Sequence, residues 1–136
     1  LQAVEERLAA LGLDTNALRE EGKFITLDAQ ATLDLFMVEG WPDEALFQKT
    51  ILSILALANS RGKRVRAFGE MVAILWANVH TGATVRLEHL WHELCKSNEF
   101  SLFCAYPRAG FTKSPLEAIE EIYGAHSKVV RSNAAN

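Results

Sequence analysis

Three polar side chains fall where chemistry is done in α/β proteins. Asp28 ends the β-rich run that starts at Lys23, Glu70 follows the run Val65-Arg66-Ala67-Phe68-Gly69, and Tyr106 closes the run that starts at Phe100. Each is expected at the carboxyl end of a strand, the end at which ligands bind in open α/β sheets. The apolar residues near them include Phe68, Met71, Trp76 and Trp91. A mostly apolar pocket with a few polar groups at its rim describes a small-molecule site, and it equally describes an α/β core near its surface. Glu70 has two readings as well: a carboxylate aimed at a ligand, or a negative charge favoured in the first turn of a helix by the helix dipole.

Other chemistries find less support. Neither the GxxxxGK(S/T) loop nor GxGxxG occurs, so a nucleotide site of either kind cannot be argued from these residues. There is no nucleophile elbow, and Cys104 in mid-strand reads as a small buried hydrophobe. His89 and His92 stand three residues apart on a helical stretch and Cys95 follows, a spacing that calls for a metal check. Cys95 and Trp91 belong to an apolar stripe from which His89 points away, and structural zinc wants four ligands. We therefore read this stretch as a polar helix face with Glu88 and His92 as an i, i+4 pair, and expect no metal and no cofactor.

The chain has 136 residues, about half of them hydrophobic and 23% charged, with a net charge of −3. That is the composition of one soluble domain with a real core. The charge argues against nucleic-acid binding, which needs clustered Lys and Arg; the only basic cluster is Arg61, Lys63, Arg64 and Arg66. Two cysteines, each in an apolar element, suggest no disulfide framework and a cytoplasmic home. No apolar run reaches the roughly 18 residues of a membrane span, and no secretory signal is visible. Leu1 is not a natural start, so a fragment or processed product is expected.

The elements that must position these residues follow from periodicity. Helices are expected over residues 1–11 and 32–38, from Pro42 to about Ser60 with Phe47, Ile51, Ile54, Leu55 and Ala58 inward, and from Glu70 to Val79 with Val72, Leu75, Trp76 and Val79 on one face. The cleanest pattern is Ala83, Leu87, Leu90, Trp91, Leu94 and Cys95, a helix over about 83–96. Ser114-Pro115-Leu116-Glu117 is a capping box that starts a last helix, with Leu116, Ile119, Ile122 and Tyr123 inward. Strands are expected at 23–28, 65–69, 100–106 and, less strictly patterned, 126–130. Alternating strands and helices imply a mainly parallel sheet with helices on both faces. Residues 1–130 form one domain, and 131–136 are a tail or the start of a linker.

These residues also carry a family likeness. Phe68-Gly69-Glu70-Met71-Val72, Leu75-Trp76, Leu87-Glu88-His89-Leu90-Trp91, the run from Phe100 to Pro107, and His126-Ser127 resemble the MEDS domain, the methanogen/methylotroph sensory domain, over most of the chain. The resemblance implies a RecA/KaiC-like fold without the phosphate loop. Asp28-Ala29 would then follow the counterpart of a KaiC-like strand, and Val65–Gly69 would be the counterpart of the Walker B strand. The chain departs from the family at His92, where Asn is common, and in starting after the family's first strand and loop, which implies N-terminal truncation. The function implied is a non-catalytic sensory domain of a prokaryotic signalling protein. It would bind a small, hydrocarbon-derived molecule and pass the change to a fused or partner output domain. Asp28, Phe68, Glu70, Met71, Trp91 and Tyr106 are the expected pocket residues, and an exposed sheet edge implies a homodimer. The alternatives are a degenerate nucleotide-binding module and a protein-interaction domain.

Overall fold

A computed structural model describes residues 2–59, 62–107 and 116–130. The elements in order are α1 (Gln2–Ala10), α2 (Thr15–Glu20), α3 (Ala29–Asp34), β1 (Met37–Val38), β2 (Trp41–Pro42), α4 (Glu44–Ala58), β3 (Val65–Gly69), α5 (Met71–Ala77), α6 (Thr81–Ser97), β4 (Phe100–Cys104) and α7 (Leu116–Gly124). The fold is mixed α and β: seven helices and two small two-stranded sheets among the described residues.

Short local signals set the early elements. Asp14, Asp28 and Asp43 are the N-caps of α2, α3 and α4, and each carboxylate accepts a backbone N–H of the helix it opens. β1 and β2 form an antiparallel hairpin in which Met37 faces Pro42 and Val38 faces Trp41. The two residues between them, Glu39 and Gly40, both have positive φ (50° and 80°). That is the two-residue turn whose twist matches a right-handed strand pair. Pro42 therefore lies in β2, and α4 begins two residues later behind its aspartate cap.

α6 is the element the others pack on. It touches α4, α5, α7, β2 and β4. Its buried residues Ala83, Leu87, Leu90, Trp91 and Leu94 are the stripe expected from the sequence, while Cys95 is only half-buried. Phe36, Phe47 and Trp91 stack edge to face in series, with ring centroids 5.2 and 5.0 Å apart. Leu33, Ile51, Met71, Val72 and Leu75 complete the core around them.

β3 and β4 run parallel, Val65 opposite Phe100 and Gly69 opposite Cys104, with α5 and α6 as the crossover. Burial alternates strictly along both strands. Phe100, Leu102 and Cys104 face the helical core, whereas Arg66, Phe68, Ser101 and Phe103 are exposed. Phe68 and Phe103 stack on one another on that outer face at 5.7 Å, each about half exposed. Among the described residues only one face of this sheet is covered, not the two expected.

Several sequence expectations are corrected. Residues 23–28 form no strand: Phe24 folds back on α2, its backbone N–H on Leu18 O and its ring under the Arg19 guanidinium. Residues 126–130 form no strand either. α3 covers 29–34 rather than 32–38, because Asp28 caps it early and the hairpin claims Met37 and Val38. β4 ends at Cys104, two residues short of Tyr106. Leu116 is exposed rather than inward. The capping residues Ser114 and Pro115, Arg61 of the basic cluster, and the tail 131–136 lie outside the described residues.

Val79 is the sharpest correction. It was expected inward, but α5 stops at Ala77 and Val79 is 83% exposed with φ of 61°. Its N–H bonds Trp76 O, and the His80 N–H bonds Leu75 O. This is a Schellman motif with a β-branched residue at the left-handed position that glycine usually fills. Replacing it relieves that strain: Val79→Gly should raise stability by up to about 1 kcal/mol, read as a higher midpoint in thermal or urea unfolding. An unchanged or lower midpoint contradicts this account of the α5 terminus.

Candidate functional site

Glu88 lies on the inner side of α6, one residue past Leu87 and three before Trp91. It is 2% exposed and is the only ionisable side chain among the described residues in the fully buried core. A buried carboxyl needs partners for both oxygens. Tyr106, two residues beyond β4, donates its hydroxyl to Oε1 at 2.5 Å. Cys104, the last residue of β4, places Sγ 3.9 Å from Oε2. His126, just past α7, places Nε2 3.5 Å from the same Oε2. Two stretches far apart in sequence, the end of β4 with Tyr106 just beyond it and His126 past α7, thus converge on one side chain of α6.

Each partner is held in place by the fold. The parallel register sets Cys104 opposite Gly69 on the inner face of the sheet. The Tyr106 ring sits edge-on to Trp76 of α5 at 5.8 Å. His126 Nδ1 lies 2.7 Å from Ile122 O and donates to it. That bond fixes the ring so that Nε2 faces Glu88. One turn along α6, His92 Nδ1 donates to Ala125 O at 2.9 Å and clamps the same C-terminal segment.

Burial sets the proton balance. Desolvation pushes the Glu88 carboxyl above the ordinary 4.5, against the opposing pull of the Tyr106 hydroxyl and of His126. Burial and the nearby Glu88 also push the Cys104 thiol and the Tyr106 phenol up, so both stay protonated at neutral pH. His126 Nε2 faces this carboxyl, because Nδ1 is taken up by Ile122 O.

The residues singled out from the sequence are spread around this site. Tyr106 is in it. Met71 is buried in the core. Trp91 packs between Phe47 and Phe100, at the other end of β4 from Cys104. Glu70 is exposed at the start of α5 and makes no side-chain cap bond. Phe68 is on the outer face of the sheet, and Asp28 is spent on the Ala31 N–H as a helix cap. The helical set His89, His92 and Cys95 is not brought together; His89 lies 4.0 Å from Glu121. Sequence reasoning passed over Glu88 and His126. The available signal was Glu88 itself, four residues after Thr84 and three before Trp91, within the apolar stripe rather than opposite it.

An open cleft of about 330 Å³ lies between α6, α7 and the start of α4, lined in part by Glu44, Arg86, His89, His92 and Glu121 and by none of the four cluster residues. Its charged lining, with Arg86 and Glu44 paired at 2.8 Å, suits a polar occupant rather than an apolar one.

The proton balance has a measurable sign. Above 4.5 the folded chain holds a proton at Glu88 that the unfolded chain has released, so wild-type stability falls as pH rises from 4.5 through the raised value. Glu88→Gln keeps the Tyr106 bond and removes this slope. Its stability relative to wild type should grow across that window in urea unfolding, and a parallel pH profile contradicts it. Tyr106→Phe, which leaves Oε1 without its donor, should cost about 1–3 kcal/mol.

No described helix is long and apolar enough to cross a membrane. No curated protein sequence and no solved structure matches the chain. The sequence model of one family, described as "MEDS: MEthanogen/methylotroph, DcmR Sensory domain", matches residues 1–127. The match takes in α6, β4, α7 and all four residues of the Glu88 cluster, and the chain belongs to the MEDS family of sensory domains.

Proposed function

We propose that this chain is a non-catalytic sensory domain of a prokaryotic signalling protein that reads a small molecule at the carboxyl end of the β3/β4 pair. One observation carries the reading: a buried carboxyl, Glu88, is satisfied by groups from β4 and from the segment after α7 rather than by its own helix. A ligand that bonds Glu88 or Tyr106 competes with His126. It thereby loosens the segment that His126 and the His92–Ala125 bond hold against α6. That coupling is what a sensor needs: two arrangements of one element, biased by the ligand.

The family name and the surroundings narrow the ligand. Tyr106 packs on Trp76, and Cys104 shares the inner face of β4 with Leu102; these apolar neighbours beside one polar cluster favour a small hydrocarbon derivative with one polar group. The output would lie on a fused or partner domain reached through the chain after α7. The parallel pair with a two-helix crossover supports descent from a RecA/KaiC-like sheet. The open face bearing Phe68 and Phe103 supports a homodimer. The residues of 1–130 act as one domain in this reading, and two free cysteines fit a cytoplasmic setting. The interaction-domain alternative draws on the same exposed phenylalanine pair, and on a Glu88 cluster filled by its own side chains.

A panel of short alcohols, amines, aldehydes and alkyl halides, screened by thermal unfolding, tests the proposal. A true ligand at about 1,000 times its Kd stabilises by about 4 kcal/mol. The shift should vanish in Glu88→Gln and shrink in Tyr106→Phe. No shift from any compound, or a shift indifferent to both substitutions, contradicts it and leaves the interaction reading in its place.

A further inference from the structure

We propose that Glu88, Cys104 and His126 form a binding site for a divalent transition-metal ion of the zinc type. The site uses the cluster already described but stands on donor geometry, independent of any organic ligand.

Glu88 Oε2, Cys104 Sγ and His126 Nε2 all lie within 4.8 Å of one another. With bonds of about 2.0–2.3 Å, tetrahedral zinc donors stand roughly 3.3–3.8 Å apart. The oxygen–nitrogen separation of 3.5 Å already meets that spacing, and the oxygen–sulfur separation of 3.9 Å nearly does. The three donors come from three elements, and contraction by rotation about the Cys104 and His126 side-chain bonds closes the rest.

The outer contacts of a metal site are also in place. Metal-bound imidazoles donate their second N–H to a carbonyl or carboxylate. His126 Nδ1 does so to Ile122 O, which leaves Nε2 as the ligating atom. Metal-bound carboxylates are themselves hydrogen-bonded, and Tyr106 holds Oε1, leaving Oε2 for the ion. Carboxylate, thiolate and imidazole are the donor types zinc takes.

Charge balance favours the ion. A dication with one carboxylate, one thiolate and a neutral imidazole sums to zero, so the loaded site buries no net charge. In the empty site Cys104 is a thiol, which gives up its proton on binding. Loading therefore releases protons, as ligand deprotonation requires.

Cobalt(II) serves as the spectroscopic probe, added to the full chain after chelator treatment, with zinc competition against a chromogenic chelator. The expected result is one equivalent per chain, four-coordinate visible bands, a thiolate charge-transfer band in the near ultraviolet, and proton release into weak buffer. Cys104→Ser should abolish the charge-transfer band, and His126→Gln should weaken binding at least 100-fold. Tyr106→Phe should weaken it about 10–100-fold, and Cys95→Ser should change nothing. His126 lies past the end of α7 with its side chain 22% exposed, so its substitution keeps the test valid if the Cys104 variant does not fold. No stoichiometric binding, weak six-coordinate bands alone, or loss of the thiolate band in Cys95→Ser overturns the inference. The sensing proposal is read separately, from the organic panel in chelator-treated protein, so either can fail without the other.

Discussion

The constraint on which the rest depends is the burial of one carboxyl. Glu88 is carried inward by the helix that also carries Leu87 and Trp91, and α6 cannot seat its apolar stripe without taking Glu88 with it. An unpartnered carboxylate in that position is strongly unfavourable. The end of β4 and the end of α7 must therefore come to it. This one requirement links a central helix, a parallel strand pair and a C-terminal segment that otherwise have few reasons to meet.

The same requirement explains why function and stability share residues here. Tyr106 satisfies Glu88 and packs on Trp76 of α5, so it ties the cluster to the crossover between the strands. His126 satisfies Glu88 and is itself fixed by the backbone of α7. A change in what bonds Glu88 is felt in α5, β4 and α7 together, because packed elements switch between discrete arrangements rather than deforming smoothly. The sheet's outer face is a separate matter: the stacked Phe68 and Phe103 lie on the opposite side of the pleat from Cys104.

Much of the framework was legible in the sequence. The α6 stripe, the α4 stripe around Phe47 and Ile51, β3, and most of β4 follow from periodicity, and the parallel pairing follows from strand–helix alternation. What periodicity cannot supply is partnership. Residues 23–28 have strand character, but strands need a neighbour, and Phe24 finds α2 instead. Val79 fits a helical face by spacing, yet the helix ends two residues before it. Glu88 was paired with His92 because they stand four apart. In the structure His92 serves Ala125 O, and the partners of Glu88 lie 16 to 38 residues further along the chain. Of the site, Tyr106 could be found from its place after a strand. By sequence Cys104 reads as a buried hydrophobe, and His126 as the start of a strand and part of the family motif.

The most direct test of the account is the titration of the Glu88 side-chain carboxyl itself, followed by carbon-13 NMR in protein labelled at glutamate and assigned by Glu88→Gln. The account predicts a resonance that titrates above 4.5 and shifts its midpoint when Tyr106 is changed to Phe. A carboxyl that titrates at or below 4.5, indifferent to Tyr106, would show that Glu88 is solvated, and the convergence on which the site rests would not exist.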